Sequence, residues 1–543
     1  MARDLEADHA ILRAVYEAAQ GGHHAQAGVM AETALANGLE HPLLLNVAAL
    51  KLEQSGLVPD AERLLQRAVL IAPDDLSSRN ALGLCLLRLE RPAEALEQFE
   101  ALLKLNPSLP YAHASHGNSL LALGAITEAE ASYQRALAID ANQGIALAGL
   151  AHIASSRGAF PEARAWAEKA LTLVPGFPDA VMSLAAAELG ERQTQRAEER
   201  IRTLLTDTRL APLERAYGNG LLGDILDAED RSAEAFAAYM ACNQELRHLY
   251  GDRFSSGASA FEYVRSMTHY FEHARPEAWQ SRPPGGADAS GVRKHVFLVG
   301  FPRSGTTLIE IILEGHPNVV SLEEKESLID SVQEFMQRPE DLERLTRATP
   351  ETLEALRAAY WRRVAGAGVD VAGKIFVDKY PLNTLKLPLI ARLFPDAKIL
   401  FACRDPRDIV LSCFRHRFKM TAPIFELLSI ESAARYYDAV MRLVICLNGV
   451  LTLDTCLVRH EDLVTEFARE IKRVCTFLGL DWVPAMGAFA MRTKDRAVLT
   501  PSTAQLVRGL NTEGLGQWRR YRLQMAPVLA MLEPWIKRFY YDP

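Results

Sequence analysis

Through the first 250 residues, apolar and small side chains recur with helical spacing, and the recurrence itself repeats. Alanines stand at Ala27, Ala61, Ala95, Ala129, Ala163 and Ala197, each 34 residues after the one before. Seven residues further on come Ala34, Ala68, Leu102, Ala136, Ala170 and Leu204; five residues earlier come Gly22, Gly56, Gly124 and Gly158, with Glu90 and Arg192 in the other two slots. Pro73, Pro107 and Pro175 stop a helix at the same period, Ala141 filling the slot between them. The pattern predicts pairs of antiparallel helices joined by a glycine turn. A seventh unit brings its alanine at Ala235, 38 residues after Ala197, and is expected to be irregular or capping. From Lys294 the rhythm changes: HVFLV, KIFVD at 374–378, KILFAC at 398–403 and TCLVR at 455–459 alternate with helical stretches, which predicts a parallel sheet flanked by helices. Between the two patterns, SSGAS and SRPPGGADASG flank one aromatic helical stretch. The expected organisation is a repeat array over 1–250, a linker with a short helical segment over 251–293, and an α/β domain over 294–543.

The 34-residue unit resembles the tetratricopeptide repeat, which implies an all-α solenoid with a groove for a peptide or protein partner. The alternative is a spacer or dimerisation arm; the named alanines are packing residues in both cases. Charge narrows the partners. The net charge is -8, but residues 1–250 hold 21 basic and 33 acidic residues while the remainder holds 39 and 35. The array would repel nucleic acid, and the C-terminal half suits an anionic ligand. Hydrophobic residues at 49% and charged residues at 24% fit an ordinary globular protein. The opening MARDLEADHA has no secretory pattern, and the apolar run Val440–Val458 is broken by Arg442, Asn448 and Asp454, so neither export nor a membrane anchor is expected. Seven cysteines without a C-x-x-C pair point to reduced core thiols in the cytoplasm, with no disulfide and no metal site expected.

HVFLV runs straight into GFPRSGTT, residues 300–307, and then an apolar helix. A glycine turn between strand and helix aims backbone N–H groups and a helix N-terminus at one point, the means by which phosphate is cradled. The spacing mimics a nucleotide-binding P-loop, but Thr306 fills the lysine slot and the cation is Arg303, inside the loop. At the end of KILFAC stands Arg404, with Ser412 eight residues on, and the pair suits a terminal phosphate monoester. Alternatively, Asp405 and Asp408 satisfy Arg404 and Arg407 locally.

Together, PRSGTT and RDPRDIVLS resemble the sulfotransferases that use 3'-phosphoadenosine 5'-phosphosulfate, above all the tyrosylprotein sulfotransferases and their bacterial repeat-containing relatives. The resemblance implies that Pro302, Arg303, Ser304, Gly305, Thr306 and Thr307 hold the 5'-phosphosulfate and that Arg404 and Ser412 hold the 3'-phosphate. It further implies Glu324, in HPNVVSLEEKE, as the base and Lys379, in DKYPLN, near the sulfuryl group. VRHEDLV resembles a strand-to-helix piece beside the site, with His460 where tyrosine is commoner. PSTAQLVRGLNTEGLGQWRRY resembles a cofactor lid, giving Ser502, Arg508 and Trp518, with Gln517 where lysine is expected. The chemistry asks for the same residue types: cations near the leaving phosphate, and a carboxylate or histidine to take the acceptor's proton. Glu323 and Glu324, as neighbours in an extended segment, are expected to point opposite ways, and His316, His416 and His460 are rival bases. The reading is sulfuryl transfer to a hydroxyl acceptor, possibly a protein tyrosine, leaving adenosine 3',5'-bisphosphate, with residues 290–543 sufficient for donor binding. The alternatives are a phosphotransferase with Asp378 or Asp405 on Mg²⁺, and a protein-binding scaffold with an inert transferase half.

Overall fold

The computed structural model describes residues 5–255, 257–280, 291–489, 510 and 512–542. They form two compact bodies, divided between Ala197 and Glu198.

The first body is a stack of helical hairpins such as Pro42–Gln54 with Val58–Ile71 and Pro110–Ala122 with Ile126–Ile139. The six period-setting alanines have no exposed surface, as expected of small residues on the packed faces of the hairpins. The turn glycine is there for its backbone: φ is +78° at Gly22 and Gly56, +79° at Gly124 and +75° at Gly158. Glu90 and Arg192, in the two slots without glycine, adopt the same left-handed conformation at a cost of about 1–2 kcal/mol each. The turn geometry is therefore imposed by helix packing, and glycine merely suits it.

The second body begins with helices. The seventh unit forms a long hairpin, Pro212–Ala228 and Ser232–Ser255. Its packing partner is the α/β core: the Phe236 and Phe414 rings lie 4.8 Å apart, and Asn243 Nδ2 donates to the Phe414 carbonyl at 2.8 Å. Next, Ala260–His273, capped by Ser259, buries Val264, Met267 and Phe271 and packs on the helix Ile430–Val450. Half of the expected linker is thus part of the core, and residues 281–290 lie outside the described residues.

The sheet has five parallel strands, β1 (Lys294–Gly300), β2 (Val319–Glu323), β3 (Ile375–Lys379), β4 (Lys398–Cys403) and β5 (Asp454–Arg459), in the order β2-β3-β1-β4-β5. Four were foreseen; β2 is short, with only VVSL to announce it. One face of β1 offers Val296 and Leu298 to a core shared with Ile309, Ile312, Val474 and Leu478 from the helices Thr306–Leu313 and Phe467–Leu478. The other face offers His295 and Phe297 to Tyr360 and Phe394. The chain leaves β1 for β2, returns to β3, and then crosses β1 to reach β4. Strand order reverses between β1 and β4, whose carboxyl ends carry the two phosphate-type motifs, and open parallel sheets bind ligands in that crevice. Among the described residues no helix is long and apolar enough to cross a membrane, and the Val440–Val458 run divides into a helix end and β5.

Candidate active site

The loop after β1 is built for close approach. Gly305 has φ +96°, and a Cβ there would fall 2.6 Å from Nδ1 of His460, so the loop lies against the imidazole with no room for a side chain. Arg303 is also left-handed, at φ +70°, a strained conformation of the kind concentrated at functional loops. Thr384, beyond β3, pins the start of the loop: its hydroxyl accepts from the Gly300 N–H at 2.9 Å and lies 2.8 Å from the Gly300 carbonyl. Thr306 and Thr307 open the next helix, both buried. Ser304 Oγ is buried and finds no partner among the described residues.

The second motif meets the first. Arg303 Nε donates to Ser412 Oγ at 3.0 Å, and Arg404 Nη1 donates to the Arg303 carbonyl at 3.3 Å. Desolvation and the neighbouring Arg404 charge pull the Arg303 guanidinium down to about 10. The second guanidinium disfavours the charge on Arg303 until an anion joins them. Arg404 also donates to the Gly514 carbonyl, while its Nε is buried without a partner among the described residues. The local ion-pair alternative applies to the neighbours. Asp405 caps its helix through the Arg407 N–H at 2.9 Å and pairs with Arg407 Nη2 at 2.8 Å, whereas Asp408 stands 4.0 Å from Arg404. Asp408 mainly accepts from the Gly516 and Trp518 N–H groups, at 2.7 and 2.9 Å. Trp518 is buried with the Arg407 guanidinium 4.0 Å above its ring; Gln517 Oε1 accepts from Arg520. Ser502 and Arg508 lie outside the described residues.

Lys379, at the end of β3, has no exposed surface. Its ammonium donates to Glu324 Oε1 at 2.9 Å and Glu323 Oε1 at 3.0 Å, and lies 3.4 Å from Glu310 Oε2. The expectation that Glu323 and Glu324 point apart is corrected: β2 ends at Glu323 and Glu324 turns to φ +46°, so strand alternation stops between them and both reach Lys379. The Glu324 charge acts on Arg303, so the lysine cluster and the arginine pair are electrostatically linked.

The rival bases are poor ones. Desolvation and the charges of Arg404 and Arg303 pull His460 down to about 3; desolvation pulls His416 well below the usual imidazole value and also lowers His316. His295, behind the sheet, is likewise about 3 through burial alone. The unfolded chain protonates these rings below about 6.5 and the folded one does not, so the stability they contribute is complete above that pH and is lost as pH falls. We expect the melting temperature to drop between pH 7.5 and 5, with His460→Gln flattening the dependence; an unchanged slope would remove this origin for it.

The two strand-end aspartates proposed for Mg²⁺ are otherwise engaged. Asp378 accepts from Tyr360 at 2.7 Å and Asn383 at 3.3 Å within the core, and Asp405 is spent on Arg407. Among the described residues the one group of three metal-ligating side chains within reach of a common cation is His269, Glu272 and His273, all exposed, at the end of the helix Ala260–His273. All seven cysteines are free thiols.

Glu310, Thr384 and the Gly514–Gly516 backbone were not singled out from sequence. Glu310 left one signal, a lone acid in the apolar run TTLIEIIL; Thr384 left none, since a threonine seven residues past a strand core has no spacing that ties it to Gly300.

Residues 295–484 match the model of the sulfotransferase family, and residues 46–110 and 114–178 match that of the tetratricopeptide repeat. Protein-tyrosine sulfotransferase 1 of Danio rerio is 27% identical over 267 residues, covering 46% of this chain and 72% of the relative. An uncharacterised protein of Aquifex aeolicus is 25% identical over 408 residues, covering 72% of this chain and 50% of its own length. Among solved structures, the sulfotransferase domain of the Synechococcus PCC 7002 olefin synthase is 23% identical, with a TM-score of 0.36, covering 49% of this chain and 99% of that one. One chain thus carries a match to the tetratricopeptide-repeat model in its N-terminal half and a match to the sulfotransferase-family model in its C-terminal half.

Proposed function

We propose that the domain from residue 294 onward transfers a sulfuryl group from 3'-phosphoadenosine 5'-phosphosulfate to a hydroxyl acceptor, with a protein tyrosine the leading candidate. One observation carries the reading: Arg303, Ser412 and Arg404 converge at the β1–β4 crevice, and Ser304 Oγ and Arg404 Nε there are buried polar atoms without partners among the described residues. Buried donors left open suit an anion with many oxygens. When bound, the donor supplies an activated sulfuryl group on a bisphosphate leaving group.

In this reading Pro302 to Thr307 form the cradle for the 5'-phosphosulfate, while Arg404 and Ser412 hold the 3'-phosphate. Lys379 stands ready to offset charge that develops on the leaving oxygen. Glu324 accepts the acceptor's proton as the acceptor oxygen takes the sulfuryl group, a role that its partly exposed carboxylate supports. The repeats would engage a protein acceptor and raise its effective concentration at the site. Similarity to protein-tyrosine sulfotransferases supports the choice of tyrosine, and seven free thiols fit the cytoplasm as the working compartment.

Calorimetry with adenosine 3',5'-bisphosphate in the presence of a chelator tests the donor assignment. Binding is expected without metal, and Arg404→Ala should weaken it by about 10–10²-fold, the worth of lost charge-assisted hydrogen bonds. Equal affinity for adenosine 5'-monophosphate would contradict the 3'-phosphate role of Arg404 and Ser412.

A further inference from the structure

Three carboxylates surround one ammonium, and they are not equivalent. Side-chain exposure is 0% for Glu310, 19% for Glu323 and 44% for Glu324. Glu310 lies in the middle of Thr306–Leu313, the helix that continues the phosphate loop, so its position is tied to that loop. Ser321 Oγ, on β2, lies 2.7 Å from Glu310 Oε1 and 2.5 Å from Glu314 Oε1, fixing the helix carboxylates against the strand. Glu324 is the opposite case. It sits one residue past β2 in a left-handed conformation, tethered by its N–H to the Lys379 carbonyl at 2.8 Å, with its carboxylate toward solvent.

Two jobs conflict in this cluster. A base must have a carboxylate free to take a proton, and an ammonium pressed against it stabilises the charged form and weakens it as a base. A buried ammonium must nevertheless keep a counter-charge, because a lone buried cation is costly. We propose that Glu310 is the fixed counter-ion that positions Lys379, and that Glu324 is the exchangeable one, released to act as base when Lys379 turns toward the donor. Glu310 is accordingly a positioning residue. The assignment deepens the sulfuryl-transfer reading and rests on it.

The groups that face Glu324 are Lys379 from β3, Glu323 from β2, Glu310 from the helix, Arg303 from the loop and Tyr380 after β3, with Glu326 and Lys386 next to Tyr380. Glu310→Gln keeps the shape and removes one negative charge from this set. Lys379 then leans on Glu324, whose carboxylate becomes a weaker base. The expected result is a fall in kcat of about 10–10²-fold, a donor KM changed less than about threefold, and an acid limb of the kcat–pH profile moved to lower pH. Glu310→Asp keeps the charge and should leave the limb at its wild-type position, with part of the rate restored. A merely structural role for Glu310 predicts otherwise: loss of bisphosphate affinity and melting temperature together, with no displacement of the limb. That outcome, or a Glu310→Gln enzyme of wild-type rate and profile, overturns the proposal. If Glu310→Gln does not fold, Ser321→Ala removes only the anchoring hydroxyl, and a several-fold loss of kcat with a limb moved the same way is expected; an unchanged limb overturns the proposal. Wild-type enzyme measured alongside separates the two levels. No transfer and no bisphosphate binding by wild type would defeat the sulfuryl-transfer reading itself, whereas an active wild type with an unshifted variant defeats only the role of Glu310.

Discussion

Glu324→Gln should lower turnover by about 10²–10⁴-fold while changing bisphosphate affinity little, because the substitution keeps the side chain's shape and removes only its basicity. The structure narrows the alternatives. His460 and His416 are held neutral far below neutral pH, and a base that weak contributes little to removing a hydroxyl proton. Glu310 has no exposed surface and Glu323 is mostly enclosed, so neither offers an acceptor a route to its carboxylate comparable with that of Glu324. Glu323→Gln should therefore cost far less, through its share of the Lys379 counter-charge. Steady-state kinetics on both variants, each checked for bisphosphate binding by calorimetry, decides the matter. Reversed losses would assign the base to Glu323.

A fragment of residues 290–543 should fail to fold, whereas one of residues 198–543 should fold and bind the bisphosphate. Sequence reasoning favoured the shorter piece, because every phosphate-type motif lies within it. The structure ties that piece to the hairpin ahead of it. Asp227 pairs with Arg415, accepts from Tyr521 at 2.6 Å and lies 3.0 Å from Arg520; Asp224 pairs with Arg417. Arg415 ends the helix that carries Ser412 and Arg417 lies two residues beyond it, while Tyr521 closes the segment that meets Arg404 and Asp408. These ion pairs are partly exposed, with side chains 13–30% accessible, so losing one partner costs less than the about 3–5 kcal/mol of a fully buried pair and more than the about 1 kcal/mol of a surface one. Losing Asp224 and Asp227 together with the Asn243 bond and the Phe236 contact is comparable with the whole stability of a domain, about 5–15 kcal/mol. Thermal unfolding of the two fragments is the check, and a cooperative transition with bisphosphate binding in 290–543 would contradict the structural role of the hairpin.

What was legible in the sequence follows from the range over which each signal acts. The repeats announce themselves because a stack of hairpins solves one packing problem again every 34 residues, and Ala27 through Ala197 record the solution. The loop from Gly300 to Thr307 is likewise local: strand, turn and helix are contiguous. Arg404 and Ser412 could be placed because a parallel sheet brings strand ends to one edge, although their contact with Arg303 depends on β4 lying beside β1. Glu310 and Thr384 escaped because their partners are 69 and 84 residues away, a distance over which no periodicity speaks. The relation of Glu323 to Glu324 went astray for a smaller reason, a strand that stops one residue sooner than VVSLEE suggests. The hairpin over 212–255 shows the limit of repeat logic: Ala235 gave its helices, but the body it serves is shown by long-range contacts, Asp224 and Asp227 with Arg417 and Arg415, and Phe236 and Asn243 with Phe414.

The central claim is sulfuryl transfer, and the most direct measurement follows a radiolabelled sulfuryl group from 3'-phosphoadenosine 5'-phosphosulfate to acceptor, with the full chain, a tyrosine peptide and a simple phenol, in the presence of a chelator. The account predicts label on the acceptor hydroxyl, no requirement for added Mg²⁺, and loss of the signal in Glu324→Gln. Label that stays on the donor with every acceptor, alongside phosphoryl transfer that demands ATP and Mg²⁺, would contradict it.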